Sequence, residues 1–241
     1  MEGEEVKKPM STMNKIINIF VSPREAFEAI NEKPTWLIPF IILTVFVLFM
    51  MFMTIDIQLS DQLKVLQARD MSEQQMEAAQ SQMQGPLRYI GFIAAPIGML
   101  IVNLIIAGIL LLASNLMISG EGASYKKVFS LVMWSGLVGI ISVLLTTFLA
   151  IQKGTMIGVS MDLTTLLPEV PVGESKTWLH YLLGRFDLFV FWQMILWVIG
   201  LSVMYKTTIK KALTPVLTIW IIWVVAAVAL GSLLGKFIPG M

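Results

Sequence analysis

Polar side chains inside apolar runs are the first place to look for chemistry, because a hydrocarbon layer offers them no water. Asn103 and Asn115 fall in the run from about Gly91 to Ile118, Gln193 in the run from Phe186 to Tyr205, and Arg185 and Asp187 at the start of that second run. At comparable depth the amides of Asn103 and Gln193 can hydrogen-bond across two helices, and a carboxylate next to a guanidinium can relay a proton or hold a solute. Two functions fit such a cluster. It can tie helices together, with Asp187 close enough to the boundary to reach water, or it can line the path of a small solute or a lipid. Helix glue is the plainer reading.

Enzymatic chemistry finds little support. His180 is the only histidine and there is no cysteine, so thiol catalysis, two-histidine metal sites and cysteine-ligated zinc are excluded within one chain. His180 itself stands beside Trp178 and Tyr181, as an amphipathic surface residue does. No G-x-S-x-G, H-E-x-x-H or phosphate-binding P-loop occurs. Asp70, Glu73 and Glu77 can share a helix face, but they lack the turn glycine and ligand order of a calcium loop. The 17 methionines suggest copper, yet Met50, Met51 and Met53 sit in a lipid-length run, where flexible packing accounts for them. No catalytic residue, cofactor or metal is expected, and a formal charge of +1 gives no reason to expect nucleic acid as a partner.

The elements that would position these residues follow from composition. A chain with 56% hydrophobic and 14% charged residues and a mean hydropathy of +0.79 is an integral membrane protein. Five apolar runs are each long enough to cross a hydrocarbon layer of roughly 30 Å: about 36–55, 91–118, 128–151, 186–205 and 215–234. The expected fold is an all-α five-helix bundle at 36–241, preceded by a cytoplasmic segment at 1–35, with extracytoplasmic loops at 56–90 and 152–185. Ten of the 17 Lys and Arg residues fall in the N-terminal segment and in the connections after the second and fourth runs. The positive-inside rule therefore places the N-terminus in the cytoplasm and the C-terminus outside.

Ahead of the first run, Ser22-Pro23-Arg24-Glu25 reads as a capping box with proline at the first helical position. Phe27 and Ile30 follow at helical spacing, and Met13, Ile16, Ile17 and Phe20 make a similar stripe upstream. Two short amphipathic helices are expected, lying at the cytoplasmic headgroup boundary with Lys15, Arg24 and Lys33 near anionic lipid. Within the bundle, small residues should let helices approach: Ala227, Gly231 and Gly235 in the fifth run, and Ser135 with Gly139 in the third. Pro96 predicts a tilt or kink in the second run. In the first loop Leu59, Leu63 and Leu66 share a helical face, and Ser72-Glu73-Gln74-Gln75 restarts a helix that stops at Gly85-Pro86. The second loop carries Leu163 to Leu167, ended by Pro168, which can cap the bundle or dip into the membrane.

Three stretches together carry a resemblance: IFVSPREAFEAI ahead of the first run, GASYKKVFSLVMWSGL leading into the third, and GRFDLFVFWQMILWVIGLSVMYKTTIKKAL across the fourth. Over about residues 14–235 the chain resembles the Yip1-domain family. The resemblance implies a five-helix bundle with a cytoplasmic N-terminus. Eukaryotic members act in early secretory trafficking and associate with Rab-type GTPases and with one another. This chain has no DLYGP-like signature and is more similar to a prokaryotic branch, for which no activity is implied. The expected function is that of a non-enzymatic scaffold or accessory subunit of the cell membrane, associating with lipid, other membrane proteins or itself; the alternative is a solute or lipid transporter.

Overall fold

The computed structural model describes residues 10–68, 73–120 and 122–237. Among these the secondary structure is helical, and the one β-type pairing is an isolated bridge between Asp162 and Asp187. Arg69, Asp70 and Ser72, and with Ser72 the expected cap of the second loop helix, lie outside the described residues.

Two ten-residue helices open the chain, α1 (Thr12–Val21) and α2 (Pro23–Glu32). The Ser11 side chain caps α1 by accepting from the Asn14 N–H at 3.2 Å. The expected capping box at Ser22 does not form. Ser22 closes α1, donating its N–H to the Asn18 carbonyl at 2.9 Å, and its hydroxyl caps nothing. One residue serves both helices and is held by the first, while Pro23 starts the second without needing an N–H partner.

Among the described residues, four helical segments are long and apolar enough to cross a membrane: α3 (Leu37–Gln67), α5 (Ile90–Met117), the pair α6 (Tyr125–Ser135) and α7 (Gly139–Lys153), and α10 (Ile209–Phe237). A 3-10 turn, Gly136–Val138, joins α6 to α7. A fifth apolar helix, α9 (Leu188–Met204), has 17 residues, about 26 Å at 1.5 Å per residue. Both its ends are defined. Asp187 caps its start, and Lys206 adopts a left-handed φ of 48° just beyond its end. Two shorter helices complete the set, α4 (Glu73–Gln84) and α8 (Trp178–Leu183).

Two boundaries differ from expectation. The first apolar run and the helix of the first loop are one continuous helix of 31 residues. With no Gly or Pro between Phe40 and Gln67, nothing stops it where polarity begins at Asp56; the sequence changes the helix's surroundings, not its backbone. The second run also stays unbroken across Pro96, which lies in the second turn of α5, where few intrahelical bonds are lost. The stop at Gly85-Pro86 occurs as expected, where a 3-10 turn over Pro86–Tyr89 leads into α5.

The core centres on α6 and α9. Every residue from Val128 to Ser135 is buried, with Trp134 the largest side chain fully enclosed. A β-carbon on Gly200 of α9 would lie 2.2 Å from Leu131 Cδ1, so the two helices meet where one of them has no side chain. The Trp134 indole N–H donates to the Thr35 carbonyl at 2.6 Å, and Trp36 rests on Phe129 with ring centroids 5.3 Å apart. These contacts place the start of α3 alongside α6.

The α1–α2 hairpin stands beside α9 rather than beneath the bundle. At its turn, Phe20 meets Trp192 edge-on at 6.0 Å, in the second turn of α9. At its other end the chain passes through Thr35 and Trp36 to α6, whose Leu131 lies against Gly200 near the end of α9. Helix α2 therefore runs in the same direction as α9, packed on α9 and α6. Ala26, Phe27 and Ile30 are completely buried in this contact. This corrects the expectation that the hydrophobic face of α2 lies in lipid: Phe27 and Ile30 are core residues because α9 and α6 offer them a protein surface first. Only α1 keeps an open apolar stripe, with Met13, Ile17 and Val21 exposed.

Candidate functional site

The polar residues singled out in the apolar runs do not converge. The Asn103 amide donates to the Met99 carbonyl one turn back in its own helix, at 2.7 Å, and no hydrogen bond joins it to Gln193. The Gln193 Nε2 points toward Gly136, 4.0 Å from where a β-carbon would stand there. Asn115 is used at the C-terminal end of α5, its Oδ1 accepting from the Tyr205 hydroxyl at 2.6 Å. That bond staples the end of α5 to the end of α9 and was invisible in the sequence, where Asn115 and Tyr205 are 90 residues apart.

Asp187 and Arg185 are adjacent in sequence but serve different partners. The Asp187 Oδ1 accepts from the N–H groups of Phe189 and Val190 at 2.7 and 3.0 Å, where a carboxylate also meets the positive end of the helix dipole. Arg185 lies over the Trp223 ring at 5.7 Å and donates from Nε to the Tyr181 carbonyl at 3.4 Å. Asp187 also bridges to Asp162, which caps the 3-10 turn Leu163–Leu166 by accepting from the Thr164 N–H at 2.8 Å; the Leu163 N–H donates to the Phe186 carbonyl at 3.2 Å. The second loop is thus sewn to the start of α9, and the two aspartates organise backbone.

The small-residue positions behave unequally. Gly231 and Gly235 receive Tyr181 of α8: a β-carbon on Gly231 would lie 2.5 Å from Tyr181 Cδ1, one on Gly235 3.0 Å from the phenolic oxygen. Ser175 donates to the Gly235 carbonyl at 2.7 Å. This stripe seats the second loop, not another spanning helix, while Ala227 is half-buried below it. Ser135 is fully buried in the core. Gly139 is a correction, since no neighbouring atom lies within 4 Å of a β-carbon built there. The close approach falls one turn earlier, at Gly136, where Leu43 Cδ1 would lie 3.2 Å away.

One polar centre was not anticipated. Asp61 is 6% exposed, about a turn and a half beyond the end of the apolar stretch of α3. Its carboxylate accepts from the Thr155 hydroxyl at 2.7 Å, the Met156 N–H at 2.6 Å and the Lys64 ammonium at 2.9 Å. Burial pushes its pKa up, but the Thr155 and Lys64 bonds and the Met156 N–H outweigh burial and hold it below the ordinary carboxylate value. Beside it a cavity of about 510 Å³ opens between Gln58, Asp61, Val65 and Leu66 of α3 and Met156 and Ile157 of the second loop. The Asp61–Lys64 spacing reads as an ordinary helical ion pair, and nothing local points to Thr155, 94 residues away, which completes the centre. Among the described residues no group of three His, Asp or Glu side chains is placed to hold a metal ion.

No curated protein and no solved structure matches the chain. Residues 17–231 match the Yip1 domain. That interval runs from within α1, through the hairpin and the α6–α9 core, to Gly231 under Tyr181, and so includes every packing relationship described above except the outermost loop contacts. The chain belongs to the Yip1 family.

Proposed function

We propose that the chain is a non-enzymatic, multi-pass protein of the cell membrane that acts as a scaffold or accessory subunit, through lipid and through other membrane proteins or copies of itself. It crosses five times, with the N-terminus cytoplasmic and the C-terminus extracytoplasmic. Helix α9 supplies the fifth crossing: its 17 residues are at the short end of what spans a bilayer. It packs against α2, α6, α7 and α10, and its exposed side chains Leu188, Val190 and Ile195 are apolar, suited to lipid.

The observation that carries the reading is that Asn103, Asn115 and Asp187 are engaged in helix and helix-to-helix bonds and do not converge. Asn103 bonds its own helix, Asn115 bonds Tyr205, and Asp187 caps α9. A solute path needs polar groups facing a shared opening, and the 510 Å³ cavity lies instead at the outer end of α3.

The test is purification of the tagged full chain from its host in mild detergent, together with solute flux in proteoliposomes. A specific membrane protein recovered in stoichiometric amount, with no flux, is the expected result. Solute flux abolished by Asp187→Asn would replace scaffold with transporter. Reporters fused before Met1 and after Met241 should fall on opposite sides of the membrane, and finding both on one side would remove α9 from the count of crossings.

A further inference from the structure

The turn of the α1–α2 hairpin lies deep along the bundle. Its Phe20 meets Trp192, in the second turn of α9 counted from Asp187. Next to Trp192, the Gln193 Nε2 lies 4.0 Å from where a β-carbon on Gly136 would stand, and Leu43 Cδ1 of α3 lies 3.2 Å from the same point. The turn is therefore level with Leu43, about 9 Å beyond Leu37 at 1.5 Å per residue. The length of α2 agrees, since its ten residues carry the chain about 15 Å back from the turn before α3 begins. Against a hydrocarbon layer of roughly 30 Å, the hairpin reaches about a third to a half of the way across.

At that depth its two helices present unlike outer faces. Helix α1 shows Met13, Ile17 and Val21, as a helix against lipid does. Helix α2 shows Arg24, Glu25, Glu28 and Glu32, all exposed. Arg24 and Glu28 pair at 3.2 Å, with side chains 72 and 51% exposed. Charges in contact with hydrocarbon are costly, even as a pair. Nor can these side chains readily bend back to the nearer surface. Side chains on a helix lean toward its N-terminus, and the N-terminus of α2 is its deep end, so Glu25 and Glu28 lean away from that surface.

We propose that water covers the outer face of α2 as far as the turn, in a groove open to the membrane surface where α3 begins, while lipid tails cover α1 at the same depth. The proposal rests on the reading that α9 crosses the membrane, which puts the turn inside the hydrocarbon layer. The groove is a feature of the flank and not a pore. Ala26, Phe27 and Ile30, on the opposite face of α2, are completely buried against the bundle and seal it from the core. On this flank the hydrocarbon layer is thinned to about 15–20 Å from roughly 30 Å, and elsewhere around the bundle it keeps its full thickness.

The chain has no cysteine, so single engineered thiols report on single positions. The test places Glu25→Cys, Glu28→Cys, Ile17→Cys and Val21→Cys, one at a time, in the full chain in phosphatidylcholine–phosphatidylglycerol nanodiscs. Each is labelled with a membrane-impermeant maleimide, with Lys176→Cys in the second loop as the aqueous reference. Val21 and Glu25 flank the turn closely, and Ile17 and Glu28 lie about equally far from it, so each pair compares two faces at one depth. The two glutamate sites should label within about tenfold of the reference. The two α1 sites should label at least about a hundredfold more slowly, because the thiolate is the nucleophile and a thiol in hydrocarbon stays protonated. Slow labelling at both glutamate sites would mean that lipid or the chain itself covers α2, and would overturn the groove. Fast labelling at all four would put the whole hairpin in water and overturn it as well. Glu25→Cys leaves the Arg24–Glu28 pair intact, and melting of each variant in detergent confirms the fold. Reporters at the two chain ends test the crossing of α9 separately, so a failed groove with the ends on opposite sides leaves the topology standing.

Discussion

The side chain of Leu131 occupies the space that a β-carbon on Gly200 would need, with Leu131 Cδ1 2.2 Å from that position and Cγ 3.2 Å away. Leu131 is itself fully buried, so it has nowhere to retreat. Helices in lipid gain little from hydrophobic drive and depend on such close approaches. Gly200→Ala should therefore destabilise the bundle by about 1–3 kcal/mol, as overpacked core sites do. Detergent melting curves measure this, and Leu131→Ala in the same chain should restore part of the loss. An unchanged melting temperature for Gly200→Ala would mean that α6 and α9 do not meet here.

Phe27 and Ile30 are enclosed by α9 and α6 and do not face lipid. A charge at either site must be buried unpaired or must pull α2 away from the bundle. Phe27→Glu with Ile30→Glu should raise amide exchange through α2 and also through the facing stretch of α9, in lipid nanodiscs without any partner. A surface-lying helix would show the first change without the second, which makes α9 the decisive reporter.

Tyr181 covers Gly231 and Gly235. Gly231→Ala should push the ring outward and loosen α8, raising protease access between Trp178 and Gly184 while the spanning helices stay inserted. Gly139→Ala, by contrast, meets open space and should leave stability unchanged or improve it by up to about 1 kcal/mol through better helix propensity. Equal effects at the two glycines would contradict these contacts.

Asp61 ties the extension of α3 to the second loop, and its folded pKa is depressed. A depressed carboxylate contributes stability that is complete above its unfolded value of about 3.9 and lost as pH falls through the folded value. Stability should therefore be flat with respect to this group above about pH 5 and decline below about pH 4. Asp61→Asn should abolish that acid-side decline and cost about 1–3 kcal/mol at neutral pH, because an amide cannot accept from Thr155, Met156 and Lys64 together. An acid limb that persists in Asp61→Asn would place the titration elsewhere.

Hydropathy and charge were enough to identify a helical membrane protein, and stretches such as IFVSPREAFEAI and GASYKKVFSLVMWSGL carried the resemblance to the Yip1 family. Apolar runs such as Gly91 to Ile118, and stops such as Gly85-Pro86, depend only on transfer free energy and local backbone chemistry. Which surface an amphipathic face chooses is a different matter. Phe27 and Ile30 have the same spacing whether they meet lipid or α9, and only the path of the chain through Thr35 and Trp36 decides between them. The polar residues divide in the same way. Asp187 was legible as a boundary residue because a cap lies next to its helix, but the partners of Asn115 and Asp61 are 90 and 94 residues distant. Hydrogen bonds are short-ranged and indifferent to sequence separation, so composition announces that a buried amide or carboxylate needs a partner, and tertiary packing alone selects it.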